Sequence, residues 1–300
     1  MDGRPVALVT GASSGIGEAA VRELLARGFT VYAAARRVAR MEPLVAAGAL
    51  ALGVDVTDEA QVDAALRSVI SATGRIDALV NNAGYGSYGA VEDVPLSDAR
   101  RQFEVNVFAM ARLMQLVAPH MRAAGHGRIV NVSSMGGRFA LELGGWYHAT
   151  KYAVEALSDA ARQELAPFGV DVVIVEPGLI ATEWAGIAAN HLRQRSGAGA
   201  YGSVARAFAA GLERAASSGL ESDPPVVGRA IARAVTARRP HVRYTPGRGA
   251  KACTVAARVL PARAIDAAVT RILAAVGGRL DRRGAAAAPG GHGEPMARGL

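Results

Sequence analysis

One cysteine, Cys253, stands in 300 residues, so no disulfide framework can staple this chain. No Cys/His cluster has the spacing of zinc ligands, and no bound metal is expected. No apolar run is long enough to span a bilayer. The opening MDGRPVALVT lacks a basic stretch followed by an apolar one, so no secretory signal is expected and the default location is the cytoplasm. Lysine is almost missing: Lys151 and Lys251 stand against 32 arginines. Aromatic residues are 5% of the chain and do not interleave with basic ones in the manner of an RNA-binding sheet. The net charge of +8 conceals an asymmetry, −4 over residues 1–190 and +12 over 191–300. The C-terminal arginines are scattered, with neither zinc finger nor basic zipper beside them, and nucleic acid is not an expected partner.

What is present is a globular composition, 51% hydrophobic and 20% charged, in a chain long enough for one large domain with appendages. The first 180 residues alternate short, nearly all-apolar runs with amphipathic stretches, the pattern of a parallel sheet covered by helices on both faces. Strands are expected at Val6–Thr10, Thr30–Ala34, Ala49–Val54, Ile76–Val80, Arg128–Ser133, Val170–Glu176 and His241–Thr245. Helices are expected at Gly15–Arg27, from an Asp58 cap to Thr73, at Ser97–Arg122, Tyr147–Pro167 and Val226–Arg238. Pro119 is expected to kink or fray the last turn of the third.

After Gly178 the pattern changes. Residues 183–220 carry helical periodicity, small residues and weak caps, and are expected to form a lid over the substrate. The catalytic domain is expected to span 1–250, followed by a helical extension at 251–276. The extension's stripe of Val259, Leu260, Ile265, Val269, Ile272, Leu273 and Val276 is broken by Pro261. It suits packing on the domain, on a partner subunit or on a lipid surface; membrane contact is not expected. Residues 277–300 reduce mostly to Gly, Ala, Pro and Arg, a composition expected to be disordered.

Three constellations carry chemistry. Thr10-Gly11-Ala12-Ser13-Ser14-Gly15-Ile16-Gly17 follows a strand and opens a helix. Such glycines let backbone approach a pyrophosphate at a helix N-terminus, although a tight connection alone also accounts for them. Tyr147 and Lys151 lie four apart on a helix and share a face. An ammonium beside a phenol is expected to lower its pKa and make it a usable proton donor or acceptor; a snorkelling lysine beside a half-buried tyrosine is the plain alternative. Lysine at 151, in a chain that otherwise writes arginine, favours the chemical reading. Ser133-Ser134 closes a strand where α/β sheets bind ligands, yet serine there also forms ordinary turns. Asn106 falls inside an apolar helical stretch, so it is either exposed or wired into a polar network.

Taken together, these residues resemble the short-chain dehydrogenase/reductase family over about residues 5–245. The matching motifs are Thr10–Gly17, Asn81-Asn82-Ala83-Gly84, Asn106, Ser134, Tyr147-x-x-x-Lys151 and Pro177–Thr182. The family's usual spacing to Tyr147 picks Ser134 over Ser133. Val31–Arg36, Tyr147–Asp159 and Arg243-Tyr244 are similar to the 17β-hydroxysteroid dehydrogenase and retinol dehydrogenase branch. The resemblance implies Tyr147 as general acid/base and Lys151 as the holder of the nicotinamide ribose. It implies that Ser134 bonds the substrate oxygen and that Asn106 positions a relay water. Gly11, Ser13, Ser14, Gly15, Ile16 and Gly17 would cradle the phosphates, Asp55 and Val56 the adenine, and Asn82, Ala83 and Gly84 the adenosine. Pro177, Gly178, Ile180 and Thr182 would orient the nicotinamide.

Ala35 ends the second strand without the carboxylate that grips an NAD ribose, and Arg36 and Arg37 follow, so NADP(H) is the expected cofactor, with Arg36 the leading contact. Phe139, Leu141, Trp146 and Trp184 are candidates to line a lipophilic pocket. The expectation is therefore an α/β protein: a single Rossmann-type domain, its doubly wound parallel sheet followed by a substrate lid after the sixth strand. It would interconvert a small-molecule carbonyl and a secondary alcohol, as a homodimer or homotetramer by resemblance. The alternatives are a dinucleotide sensor without turnover and an NAD-dependent dehydrogenase of a small polar substrate.

Overall fold

The computed structural model describes residues 3–277. Seven strands, β1 (Val6–Thr10), β2 (Thr30–Ala35), β3 (Leu50–Gly53), β4 (Ala78–Asn81), β5 (Gly127–Val132), β6 (Val170–Val175) and β7 (Arg243–Tyr244), form one sheet in the order β3-β2-β1-β4-β5-β6-β7. Every pairing is parallel. The chain winds outward from β1 to β3, then resumes at β4 on the other side. That reversal opens a crevice beyond the carboxyl ends of β1 and β4, where α/β sheets take ligands.

Both faces are covered, which is why β1 reads Val-Ala-Leu-Val-Thr and is buried at every position. On one face lie α1 (Gly15–Leu25) and α9 (Pro224–Thr236); on the other lie α3 (Glu59–Thr73), α5 (Ala109–Ala124) and α6 (Gly145–Leu165). The first pair packs backbone to backbone, since a Cβ at Gly228 would lie 2.8 Å from the carbonyl carbon of Ala19. Asp58 caps α3 as expected, its carboxylate accepting the Gln61 N–H at 3.1 Å. A short α2 (Glu42–Ala46) was not expected from the sequence, being too brief to show a period.

The expected Ser97–Arg122 helix is α4 (Leu96–Phe103) and α5 joined by a π-helical turn, Glu104–Phe108. Pro119 does not end α5, which runs on to Ala124 and stops at Gly125 with φ 71°. Both Pro119 and Gln115, the carbonyl it deprives of a partner, are exposed. The freed carbonyl lies on the solvent side, while buried Met114, Val117 and Met121 hold the turn in place.

Residues 183–220 fold as α7 (Trp184–Ser196) and α8 (Gly202–Ser217), a helical pair joined through Ala188, Leu192, Ala205 and Phe208. The pair stands over the carboxyl edge of the sheet as a lid region. The extension forms α10 (Ala250–Val259) and α11 (Ala262–Gly277), parted at Pro261 as expected, and α11 runs beside α8. The side chains of Val269, Ile272, Leu273 and Val276, and the expected disorder after Gly277, lie outside the described residues. No described helix is long and apolar enough to cross a membrane.

Candidate active site

Of the residues to which the resemblance gives a role, all but Gly17 and Asn106 line one cavity of about 1120 Å³ over the carboxyl ends of the central strands. Its floor is the glycine turn. Gly11 and Gly15 have φ of 65° and 57°, a region that side chains disfavour. Gly17 faces away from the cavity, and a Cβ there would collide with the Gly11 carbonyl oxygen. The first turn of α1 thus reaches the cavity with N–H groups lacking helical acceptors, a site suited to a pyrophosphate. Thr182 closes over it, its methyl 3.0 Å from where a Gly15 Cβ would stand.

Asn82 does more bracing than bordering. Its side-chain amide donates to the carbonyls of Thr10 at 3.0 Å and Gly11 at 3.3 Å. Thr10 returns the link, its hydroxyl accepting the Asn82 and Ala83 N–H groups at 3.0 and 3.1 Å. Ala83 and Gly84 line the cavity without side-chain bonds of their own.

Tyr147 and Lys151 project from α6, 7% and 8% exposed. Ser134, at the end of β5, hydrogen-bonds the Tyr147 phenol and accepts the Gly136 N–H at 3.0 Å. Ser133 lies behind it, toward Glu155. The expected lowering of the Tyr147 pKa is not found. Burial pushes the phenol up to about 12, and the Ser134 bond offsets only part of this. The ring is walled by Tyr88 and Trp184, each 5.6 Å between centroids. Lys151 points instead at the Val132 carbonyl, 3.0 Å away, with its Nζ 6.0 Å from the tyrosine ring centre. Burial lowers this lysine to about 8, and Glu155 pulls it partly back. At neutral pH the phenol is therefore protonated, the state a proton donor needs.

Asn106, buried in the π-helical turn, is wired into a network. Its amide donates to the Tyr85 carbonyl at 3.0 Å and the Thr150 hydroxyl at 3.1 Å, and its Oδ1 accepts the Tyr85 N–H at 3.0 Å. Both donors are spent bracing the Tyr85 loop against α6, and one Oδ1 lone pair remains for a water. Phe139, Leu141 and Trp184 line the cavity, but Trp146 turns away to α4 and donates to the Val91 carbonyl at 3.4 Å. Sequence reasoning missed Tyr88 and His148. Tyr88 comes from a loop with no pattern, and buried His148 sits 2.8 Å from the Gly136 carbonyl, its burial lowering its pKa.

At the other end of the cavity stand Arg36 and Arg37. Arg37 donates to the Ser14 hydroxyl at 3.1 Å and to Glu183 at 3.2 Å. Arg40, unforeseen, donates to the same Glu183 at 2.6 Å. Arg36 is 66% exposed and reaches only to within 3.9 Å of the Asp55 carboxylate. Burial raises the Asp55 pKa, but its bonds from Thr57, with Arg36 and Arg101 nearby, leave it below the ordinary value. Val56 lines the wall beside it, and Pro177, Gly178 and Ile180 line the side under β6.

The model of the short chain dehydrogenase family matches residues 5–191. A probable short-chain type dehydrogenase/reductase of Helicobacter pylori, VdlC, is 35% identical over 234 residues, 78% of this chain and 86% of that protein. A 3-ketodihydrosphingosine reductase of Bacteroides thetaiotaomicron is 37% identical over 177 residues, 58% of this chain and 63% of that protein. The crystal structure of a short-chain dehydrogenase from Streptomyces avermitilis superposes with a TM-score of 0.71 at 32% identity, covering 90% of this chain and 96% of that one. Similar solved structures hold either cofactor, NADP in a metagenomic oxidoreductase and NADH in a Brucella melitensis reductase. With the glycine turn, the Ser134–Tyr147–Lys151 cluster and this likeness over most of its length, the chain belongs to the short-chain dehydrogenase/reductase family, as an oxidoreductase of the carbonyl/alcohol pair using NAD(P)(H).

Proposed function

We propose that the protein is an NADP(H)-dependent oxidoreductase acting on a lipophilic ketone or secondary alcohol, with Tyr147 as general acid/base. The observation that carries this is a protonated, buried phenol beside Ser134 in a cavity that also holds the glycine turn. A bound dinucleotide would supply a hydride for reduction or take one in oxidation. In the reducing direction Tyr147 gives its proton to the ketone oxygen, which with that hydride at carbon would become the alcohol. Ser134 holds the same oxygen, and the tyrosine regains its proton from solvent. Lys151 would hold the nicotinamide ribose, and Asn106 keeps an acceptor for a relay water. Asp55 and Val56 would flank the adenine, and Thr182 with Ile180 would orient the nicotinamide.

The absence of a carboxylate at Ala35 supports NADP(H), with Arg37 and Arg36 receiving the 2′-phosphate. Arg37→Ala is expected to weaken NADP(H) about ten- to hundredfold and leave NAD(H) nearly unchanged, with a smaller loss for Arg36→Ala. Fluorescence titration with both cofactors checks this, and an unaltered NADP/NAD ratio in Arg37→Ala contradicts it. The depressed Lys151 gives a pH dependence. The charged amine holds the ribose, so kcat/KM for NADPH is expected to be flat below pH about 8 and to fall above it as the ammonium is lost. A profile flat through pH 10 would dissociate Lys151 from cofactor binding.

The lipophilic reading is supported by the apolar side chains around Tyr147 and by the relative named for reducing 3-ketodihydrosphingosine. Phe108, Tyr152 and Leu157 stand exposed on the π turn and α6, and analytical ultracentrifugation tests the expected dimer or tetramer. A carbonyl and alcohol panel followed by NADPH absorbance tests the function itself.

A further inference from the structure

The cavity does not end at the catalytic residues. Past Trp184 it continues between α8 and the C-terminal helices as far as Leu260 and Ile265. On α10 the lining positions are 252, 253, 256 and 257, with Leu260 just past its end, a spacing of three and four that marks one face of a helix. That face carries Ala252, Cys253, Ala256, Ala257 and Leu260, while the bulkier Val255 and Val259 point elsewhere, 52% and 69% exposed. Opposite stand Phe208 and Leu212 of α8, and no charged side chain of α8, α10 or α11 lines this reach. The dinucleotide end, by contrast, is lined by Arg36, Arg37 and Asp55. One cavity thus has a charged end and an apolar end, with Tyr147 between them.

We propose that α10 and α11 build the far wall of a substrate channel, and that the substrate is a long straight-chain ketone or the matching alcohol. Its oxygen meets Tyr147, and its hydrocarbon chain lies along α8 and α10 toward Leu260 and Ile265. The proposal rests on the carbonyl/alcohol activity proposed above and adds the shape of the molecule. Three helices bound the channel along its length, and Leu260 at its end is 44% exposed, so no wall stops a chain there. Such a site discriminates by chain length rather than by the outline of a ring system. Each methylene moved from water to the Phe208, Leu212, Ala252, Ala256 and Leu260 lining adds affinity.

The test uses the full chain with NADPH and straight-chain 2-ketones from butanone to dodecanone. kcat/KM is expected to rise about two- to fourfold per added methylene until the chain passes Leu260. Ala257→Trp, which fills the channel partway, is expected to lower the dodecanone-to-butanone ratio of kcat/KM by about tenfold or more. Because Cys253 is the only cysteine and lines the channel, its reaction with a maleimide reads occupancy without turnover. Dodecanone is expected to slow the labelling, and butanone at equal concentration is not. Turnover that is indifferent to chain length, with Cys253 unprotected, overturns the channel, as does preference for a fused-ring ketone over dodecanone. If no ketone of any length is reduced, the catalytic reading fails, and the labelling alone judges the channel: protection by dodecanone upholds it, and none overturns it.

Discussion

Tyr147→Phe is expected to lower kcat by about 10²–10⁴-fold while dinucleotide binding stays near that of the wild type. The substitution removes one oxygen and keeps the ring that packs on Tyr88, Trp184 and His148. It also removes a buried hydroxyl whose partner, Ser134, keeps its bond from the Gly136 N–H. Fold stability should therefore change little, so the loss is chemical rather than structural. Steady-state kinetics beside a fluorescence titration of NADPH separates the two, and a variant that keeps wild-type kcat removes Tyr147 from the mechanism.

Arg138→Leu is expected to cost about 3–5 kcal/mol of stability and to lower Tm by roughly 10 °C. Arg138 bridges two carboxylates, Glu176 just after β6 at 2.6 Å and Glu155 on α6 at 2.8 Å, whose side chains are 2% and 6% exposed. Arg243 also reaches Glu155, at 3.2 Å, but approaches Glu176 only to 3.6 Å. Removing Arg138 leaves two buried like charges with one cation between them. Burial pushes the Glu155 pKa up, with the Glu176 charge adding to the rise, while Ser133, Arg138 and Arg243 pull it down. A carboxyl raised above its unfolded value stabilises fully below that value and loses the contribution as pH rises through its folded pKa. Without Arg138 the folded value rises further, so the variant should regain stability on acidification to pH about 5 more than the wild type does. Denaturant melts at two pH values decide it. An equal deficit at both would mean that lost packing, rather than unpaired carboxylate, explains the change.

The parts legible in the sequence were those in which chemistry demands a residue type at fixed local spacing. Gly11 and Gly15 need positive φ, and Tyr147 and Lys151 need a shared helical face, so both motifs appear in the order of residues. The six longer strands were legible because a sheet covered on both sides writes unbroken apolar runs. What failed was direction and environment. Trp146 is next to Tyr147 in the chain, but one step along a helix turns a side chain by about 100°, which carries it to α4. The sign of the Tyr147 shift depends on burial among rings from distant segments, above all Tyr88, which no spacing announces. Arg40 and Glu183 meet only when the loop after β2 and the start of α7 are brought together. The apolar stripe of 255–276 announced Leu260 and Ile265, which line the cavity, but not Ala252, Ala256 and Ala257 beside them, nor that Val259 is exposed.

The central claim is that this cavity turns over a carbonyl substrate rather than merely holding a dinucleotide. Its most direct measurement is NADPH consumption against a panel of apolar and polar ketones, with NADH in parallel and product alcohol quantified. Stoichiometric alcohol formation from apolar ketones is expected, with NADPH preferred about ten- to hundredfold over NADH. Tight NADPH binding with no alcohol formed from any ketone, and no ketone from any alcohol with NADP, would contradict it.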